Sequence, residues 1–471
     1  MSSLSLGPDR DRVLHHAAEL VARTWAEFDS ARDSHPSVSP ELLALLTQEL
    51  PQQPSDPIAA LDIAAQALDS SLTQARPRYF GYIGSSGLEI GALGDLLAHS
   101  HDPNLAIEAG AASDIERQAV SWLGEFLGYH NSQGFFTSGG TVSNLTALAG
   151  ARERALPNSR ATGLGSATLS LYCSEEAHYS VKRAAEVLGI GGNNVRSIEI
   201  DSERRMKPQA LAMAIDADRK AGVIPMAVVA TAGTTLTGAV DSINEIADVC
   251  GDIWLHVDGA YGLAAAGTDS AGPLFKGLDR ADSMSIDAHK WLFVPKACSA
   301  LLVKDPDLLA HAFSHNEAYV PHEHGEINAV DITLEYSRPL RALKLWLAFK
   351  VHGASGMREA LEANLAQAQL LYSMAKEASD FEVIDSIPQL SIVPTRHIPT
   401  RLKASSAAQI NEHTSRLQLA LIADGRIYIS PAQIDGDTWL RPCFTNFRTT
   451  NEDVVAAFHV IREVSNSLGN D

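Results

Sequence analysis

The sequence predicts an α/β protein with a mainly parallel central sheet flanked by helices and a small α+β domain at its C-terminal end. Three observations carry that expectation. Between about Phe135 and Asp305, short β-branched runs alternate with helical ones, the pattern of βαβ units. SRPLRALKLWLAFKVHG reads as a long helix leaving that stretch, and beyond it the runs LSIVP and IYIS sit among helical segments. A chain of 471 residues also exceeds what one hydrophobic core usually organises.

The elements follow in order. From about Asp11 to Phe28, Val13, Leu14, Ala17, Leu20, Val21 and Trp25 recur at helical spacing. HPSVSP breaks this helix, ELLALLTQEL forms a second, and PQQPSDP ends that one, because proline removes a donor and fixes φ. Helices with no core of their own this early in a chain are expected to pack on a partner subunit. Next, TLSLYC precedes a helix at AHYSVKRAAEVLG, NVRSIEI one at KPQALAMAIDADRKAG, and MAVVATA one at DSINEIADVCG; IWLHVD, SMSID and CSALLV complete the strands. The expected division is a helical segment over 1–87, a large α/β domain over 88–349 and a small domain over 350–471.

Composition excludes several partner classes. With 57 acidic against 37 basic residues the net charge is −20, which opposes binding to nucleic acid or an anionic membrane. No metal-type cysteine spacing occurs among Cys173, Cys250, Cys298 and Cys443, which read as buried thiols of a reducing compartment. The N-terminus has no apolar signal core, and no run approaches the roughly 18 apolar residues of a membrane span, so a cytoplasmic location is expected.

In such sheets ligands bind at the carboxyl ends of the strands, so the residues there bear on function. TSGGTVSNL places two glycines before a helix, where backbone N–H groups and the positive helix end suit a phosphate; alone, such a turn is commonly only a turn. Asp258, ending IWLHVD, must face a cation or a strong donor if buried. His178 opens the helix after LSLYC, and Lys290 in SIDAHKWLF lies among apolar residues, where desolvation frees a neutral amine to attack carbonyl compounds. A lone lysine there more often snorkels to water. Together, however, a phosphate cradle, a buried Asp, a His and such a Lys describe a site for a phosphorylated aldehyde with a basic ring nitrogen: pyridoxal 5′-phosphate.

RPRYFGY, TSGGTVSNL, SEEAHYSVKRA, ATAGTTLTGAVD, WLHVDGAYG, DAHKW, SRPLRALKLW and LRPCFTNFRTT occur in an order and spacing that resembles the group II pyridoxal-phosphate-dependent amino-acid decarboxylases, from about Ala17 to Leu468. The resemblance implies the fold of type I pyridoxal-phosphate enzymes, similar to aspartate aminotransferase, and a homodimer. It implies that Lys290 forms the internal aldimine beside His289, that Asp258 pairs with the pyridine nitrogen, and that Ala260 and His178 cover opposite ring faces. Ser138, Gly139, Gly140 and Thr141 would hold the phosphate, Asp287 would lie close to it, and Thr234 near the ring. Tyr319 in HNEAYVPHEHG matches the tyrosine that protonates the quinonoid carbon after carbon dioxide leaves. Tyr79, Phe80 and Ile107, with Tyr319, would line the substrate pocket.

Two departures bear on the substrate. Aromatic-specific members carry a histidine where Arg76 stands and a large ring near Ala106 and Ile107; separately from the substrate, several relatives have Asn close to the cofactor phosphate where Asp287 stands. The expected activity is decarboxylation of an L-amino acid to its amine, with no metal. The competing readings are an aldehyde synthase on the same scaffold, favoured in relatives with Phe in place of the tyrosine, and a non-catalytic cofactor-binding homologue. A cysteine desulfurase is set aside because Cys298 reads as part of a strand.

Overall fold

The computed structural model describes residues 4–30, 36–130, 132–315 and 328–469. Strand β1 (Tyr79–Phe80) belongs to a small sheet discussed below; the large sheet comprises β2 (Gln133–Thr137), β3 (Leu169–Ser174), β4 (Val195–Ile198), β5 (Ile224–Thr231), β6 (Trp254–Asp258), β7 (Ser283–Ile286) and β8 (Ser299–Val303). Its spatial order is β2-β8-β7-β6-β5-β3-β4. β8 runs opposite to the other six strands.

The central strands read as continuous apolar runs because both faces of the sheet are covered, so alternation sends successive side chains into two different cores. Leu171, Val229 and Trp254 pack with Leu148 of helix Gly140–Ala155 and Val181 of helix Tyr179–Val187. On the other face Tyr172, Val228, Leu255 and Val257 meet Leu123, Leu211 and Ile243 from helices Ala111–Leu127, Pro208–Lys220 and Ile243–Cys250. Each fully buried aliphatic side chain of this kind contributes about 1.5–3 kcal/mol.

A buried ion pair fastens helix Ala111–Leu127 beneath the sheet. Arg338 Nη2 donates to Glu116 Oε1 at 2.6 Å and to the Phe136 carbonyl at 3.1 Å, while Phe136 N–H donates to the same Glu116 oxygen at 3.1 Å. Glu116→Ala strands a buried guanidinium. It should therefore cost about 3–5 kcal/mol, read as a lowered denaturant midpoint.

The small sheet has the order β1-β11-β12-β10-β9, with β9 (Phe381–Val383), β10 (Thr395–His397), β11 (Tyr428–Ile434) and β12 (Asp437–Arg441). Tyr79 pairs in parallel with Tyr428, so the N-terminal segment adds a strand to the C-terminal sheet of its own chain. Phe80, Leu371, Leu417, Ile429, Phe444 and Phe458 share that sheet's core.

Several sequence expectations need adjustment. The first helix spans Arg10–Ser30 and the second is short, Pro40–Leu46; helices Pro57–Asp69 and Glu89–His101 were not foreseen. The helix expected to end at Gly353 continues as Ala342–Glu377, with a kink where Gly353 adopts φ 66°. LSIVP is not a strand. Pro394 cannot donate to a ladder, so pairing starts at Thr395, and Ile392 makes only an isolated bridge to Cys443. Cys298 lies just before β8, although it is fully buried, as a strand residue would be. Among the described residues, no helix is long and apolar enough to cross a membrane.

Candidate active site

The carboxyl ends of the parallel strands converge on one cavity of about 300 Å³. β2 leads through Ser138 and Gly139 into the helix that starts at Gly140, and β3 leads to His178, which caps helix Tyr179–Val187 by accepting the Ser180 N–H at Nδ1. β6 ends at Asp258, and β7 is followed by Asp287 and a four-residue turn of helix carrying His289 and Lys290.

Asp258 is 5% exposed and fully engaged. Oδ2 accepts from Asn144 Nδ2 at 2.9 Å, while Oδ1 accepts from Ala260 N–H at 3.2 Å and from Ser285 Oγ at 3.3 Å. This fixes the carboxylate at the cavity wall. Lys290 Nζ lies 3.0 Å from Asp287 Oδ2, and His289 Nε2 lies 3.8 Å from the same oxygen. Burial pushes the Asp287 carboxyl up, but Lys290 and His289 together with hydrogen bonding from Ser299 bring it below its usual value. Asp287 Oδ1 is buried without a hydrogen-bond partner. The lysine thus serves Oδ2 alone. His289 Nδ1 lies 2.9 Å from the Cys298 carbonyl, and burial lowers its pKa below the ordinary histidine value.

No side chain caps the helix at Gly140, and since Val142 and Ser143 N–H donate to the Gly139 carbonyl, the N–H groups of Gly140 and Thr141 are the ones left for a ligand. A Cβ at Gly140 would sit 2.8 Å from Ala260 Cβ and 3.1 Å from Asp287 Oδ2. Space therefore requires glycine here. An uncapped helix start, a lysine amine and a carboxylate held by three donors suit the phosphate, aldehyde and ring nitrogen of pyridoxal 5′-phosphate.

Of the predicted site residues, Ser138, Gly139, Gly140, Thr141, His178, Asp258, Ala260, Asp287, His289 and Lys290 line this cavity together. Thr234 does not. Its hydroxyl is held by Thr237 Oγ1 at 3.0 Å and by Ala239 N–H at 3.2 Å, and the wall there is made by Gly233 and Thr235. Tyr79 stacks on Tyr428 with ring centroids 4.9 Å apart, and Phe80 packs on Phe444 inside the small domain's core, so within one protomer neither reaches the cavity. Ile107 lines a separate cavity of about 830 Å³. Tyr319 lies outside the described residues. Arg78 is accounted for by an ion pair with Asp453 at 2.9 Å.

Asn144, Ser180, Thr235 and Tyr261 line the cavity without having been foreseen. Asn144 stood in the quoted TSGGTVSNL stretch, one helical turn after Gly140, and a polar residue facing inward there was the available signal. Asp241 was also missed. Its two oxygens accept the N–H groups of Met206 at 2.6 Å and of Thr231 at 2.7 Å, and burial raises its carboxyl to about 6. Asp241→Asn turns an amide donor toward one of those N–H groups and should cost about 1–3 kcal/mol. A folded-state pKa above the unfolded one means that the aspartate's stability contribution is lost as pH rises from 3.8 to about 6. The variant's deficit, followed by thermal unfolding, should therefore shrink across that window.

Comparison with known proteins agrees with the geometry. Residues 40–394 match the family model described as the pyridoxal-dependent decarboxylase conserved domain. An aromatic-L-amino-acid decarboxylase of Bacillus atrophaeus is 33% identical, the match covering 99% of this chain and 98% of that protein. A phenylacetaldehyde synthase of a Rosa hybrid cultivar is 27% identical, with coverage of 83% and 81%. The crystal structure of Oryza sativa TDC with PLP and tryptamine superposes with a TM-score of 0.91 at 24% identity, covering 99% of each chain. The chain belongs to the pyridoxal-dependent decarboxylases, enzymes of the carboxy-lyase class that work with pyridoxal 5′-phosphate on a type I fold.

Proposed function

We propose that this enzyme removes the α-carboxylate of an L-amino acid as carbon dioxide and releases the corresponding amine. The observation that carries the reading is the convergence of Lys290, Asp258, His178 and the Gly140 helix start on one cavity. When bound, the cofactor supplies an electron sink for the pair left at Cα. Lys290 would hold its aldehyde through Nζ. Asp258, held by Asn144, Ser285 and Ala260 N–H, keeps the proton on the ring nitrogen. Ser138 to Thr141 would bind the phosphate through the helix start, and Ala260 and His178 would lie against the ring. Tyr319 hands its hydroxyl proton to the substrate carbon, a general-acid contribution of about 10²–10⁴-fold.

The same reading makes the protein a cytoplasmic homodimer divided near residues 87 and 349. Supporting the dimer are half-exposed leucines on helices Arg10–Ser30, Pro40–Leu46 and Glu89–His101, among them Leu14, Leu43, Leu46, Leu96 and Leu97. The four cysteines are all buried and free, in keeping with a reducing compartment.

The test is turnover of aromatic, acidic and basic L-amino acids by the cofactor-loaded protein, with carbon dioxide, amine, aldehyde and ammonia recorded together. Carbon dioxide with an equal yield of amine is expected from one class. Aldehyde with ammonia would instead support the oxidative reading that the phenylacetaldehyde synthase relative keeps open. No product from any substrate, with cofactor retained, would sink both.

A further inference from the structure

We propose that a buried hydrogen-bond chain beginning at Trp254 sets the tautomer of His178, with His256 and Ser180 as its positioning residues. The proposal rests on the reading of the cavity given above. Its logic follows from which groups can only donate. The indole N–H of Trp254 has no acceptor capacity, so Ser283 Oγ, 2.8 Å away, must accept from it. The serine's own hydrogen is then free for His256 Nδ1, also at 2.8 Å. His256 is completely buried, and burial lowers its pKa, so the ring is neutral and its single proton sits on Nε2. That nitrogen lies 2.9 Å from Asn144 Oδ1 and donates to it.

The amide of Asn144 is thereby oriented. Its Nδ2 faces Asp258 Oδ2 at 2.9 Å and Ser180 Oγ at 3.0 Å, using both amide hydrogens. Ser180 Oγ accepts from Asn144 and passes its hydrogen to His178 Nδ1 at 2.8 Å, where the Ser180 backbone N–H also donates at 3.3 Å. Nδ1 of His178 is therefore an acceptor twice over. The proton of the neutral ring stands on Nε2, at the edge away from Ser180, on a side chain that lines the cavity. The chain from a donor-only indole five links away and the Ser180 backbone N–H thus act in the same sense, so that His178 offers a hydrogen-bond donor to whatever anionic or carbonyl group occupies the site. The same amide orients Asp258.

His256→Leu breaks the chain at its middle, whereas His256→Gln can accept from Ser283 and donate to Asn144 and so preserves its direction. The readout is the ring ¹⁵N spectrum of histidine-labelled protein, with His178 assigned by its disappearance in His178→Gln, alongside kcat and KM on a turned-over substrate. Wild type is expected to show His178 as the Nε2–H tautomer. The Leu variant should bind cofactor, show a smaller Nε2–H population in which the Ser180 backbone N–H alone still favours that tautomer, and lose roughly 10–100-fold in kcat, the scale of losing a group that orients a ligating side chain. The Gln variant should restore both signals. Nδ1–H on His178 in wild type, or a spectrum unchanged in the Leu variant, overturns the proposal. Because the spectrum is read without turnover, failure of the decarboxylase reading alone would leave the tautomer result standing.

Discussion

Lys290→Ala is expected to lose turnover by at least about 10³-fold, the scale on which a covalent group is removed from an active site. It should also lose the visible absorption of lysine-bound cofactor. Both follow from position: Nζ is the amine within the cavity, 3.0 Å from a carboxylate that is itself 4% exposed. The variant also leaves Asp287 without its main cation, since His289 Nε2 stands 3.8 Å off. A buried carboxylate deprived of its partner rises in pKa. Phosphate affinity should therefore become pH-dependent in the variant, measured by equilibrium dialysis of the cofactor. Full turnover in Lys290→Ala would remove the basis of the proposed chemistry.

Asp258→Asn should behave differently. The amide is nearly isosteric and can still accept from Asn144, but its NH2 then faces the Ala260 N–H, a stability loss of about 1–3 kcal/mol that should leave the protein folded and the cofactor covalently retained. What disappears is the anion proposed to face the ring nitrogen. Loss of one preorganised electrostatic group of this kind costs on the order of 10²–10³-fold in kcat. Steady-state kinetics together with the visible spectrum separate the two variants: Lys290→Ala loses spectrum and rate, whereas Asp258→Asn loses rate alone. Equal loss of spectrum in both would mean that Asp258 serves cofactor binding and not the reaction.

Much of this was legible before any coordinates. The strands of the large sheet were readable because burial on both faces writes unbroken apolar runs, and the rim residues followed from the rule that ligands sit at strand carboxyl ends. Helices Pro57–Asp69 and Glu89–His101 were hidden because their apolar residues are not confined to one buried stripe; Leu93, Leu96 and Leu97 of the second are about half exposed. Thr234 was misplaced by one residue. Gly233 at φ 106°, pressed 2.9 Å from the Gly262 Cα if it bore a Cβ, turns the chain so that Thr235 forms the wall, and no periodicity reports such a turn. Tyr79 and Phe80 are expected at the substrate pocket because the RPRYFGY stretch carries the resemblance, and within one protomer they do not reach it. In the fold that stretch is an edge strand of the small sheet, and its aromatic rings pack on Tyr428 and Phe444. The chain behind Asp258 was invisible because Asn144, His256 and Ser283 come from three separate elements.

The most direct test of the central claim is borohydride reduction of the cofactor-loaded protein followed by peptide mass mapping. Hydride adds across the carbon–nitrogen double bond and leaves a stable secondary amine on whichever lysine held the aldehyde. The account predicts one pyridoxyl group per chain, on Lys290. The informative rival is Lys296, six residues on, whose pKa is lowered by burial and by Lys290 and whose Nζ donates to Gln74 Oε1 at 2.7 Å. Label on Lys296, or cofactor bound with no lysine labelled, would contradict it.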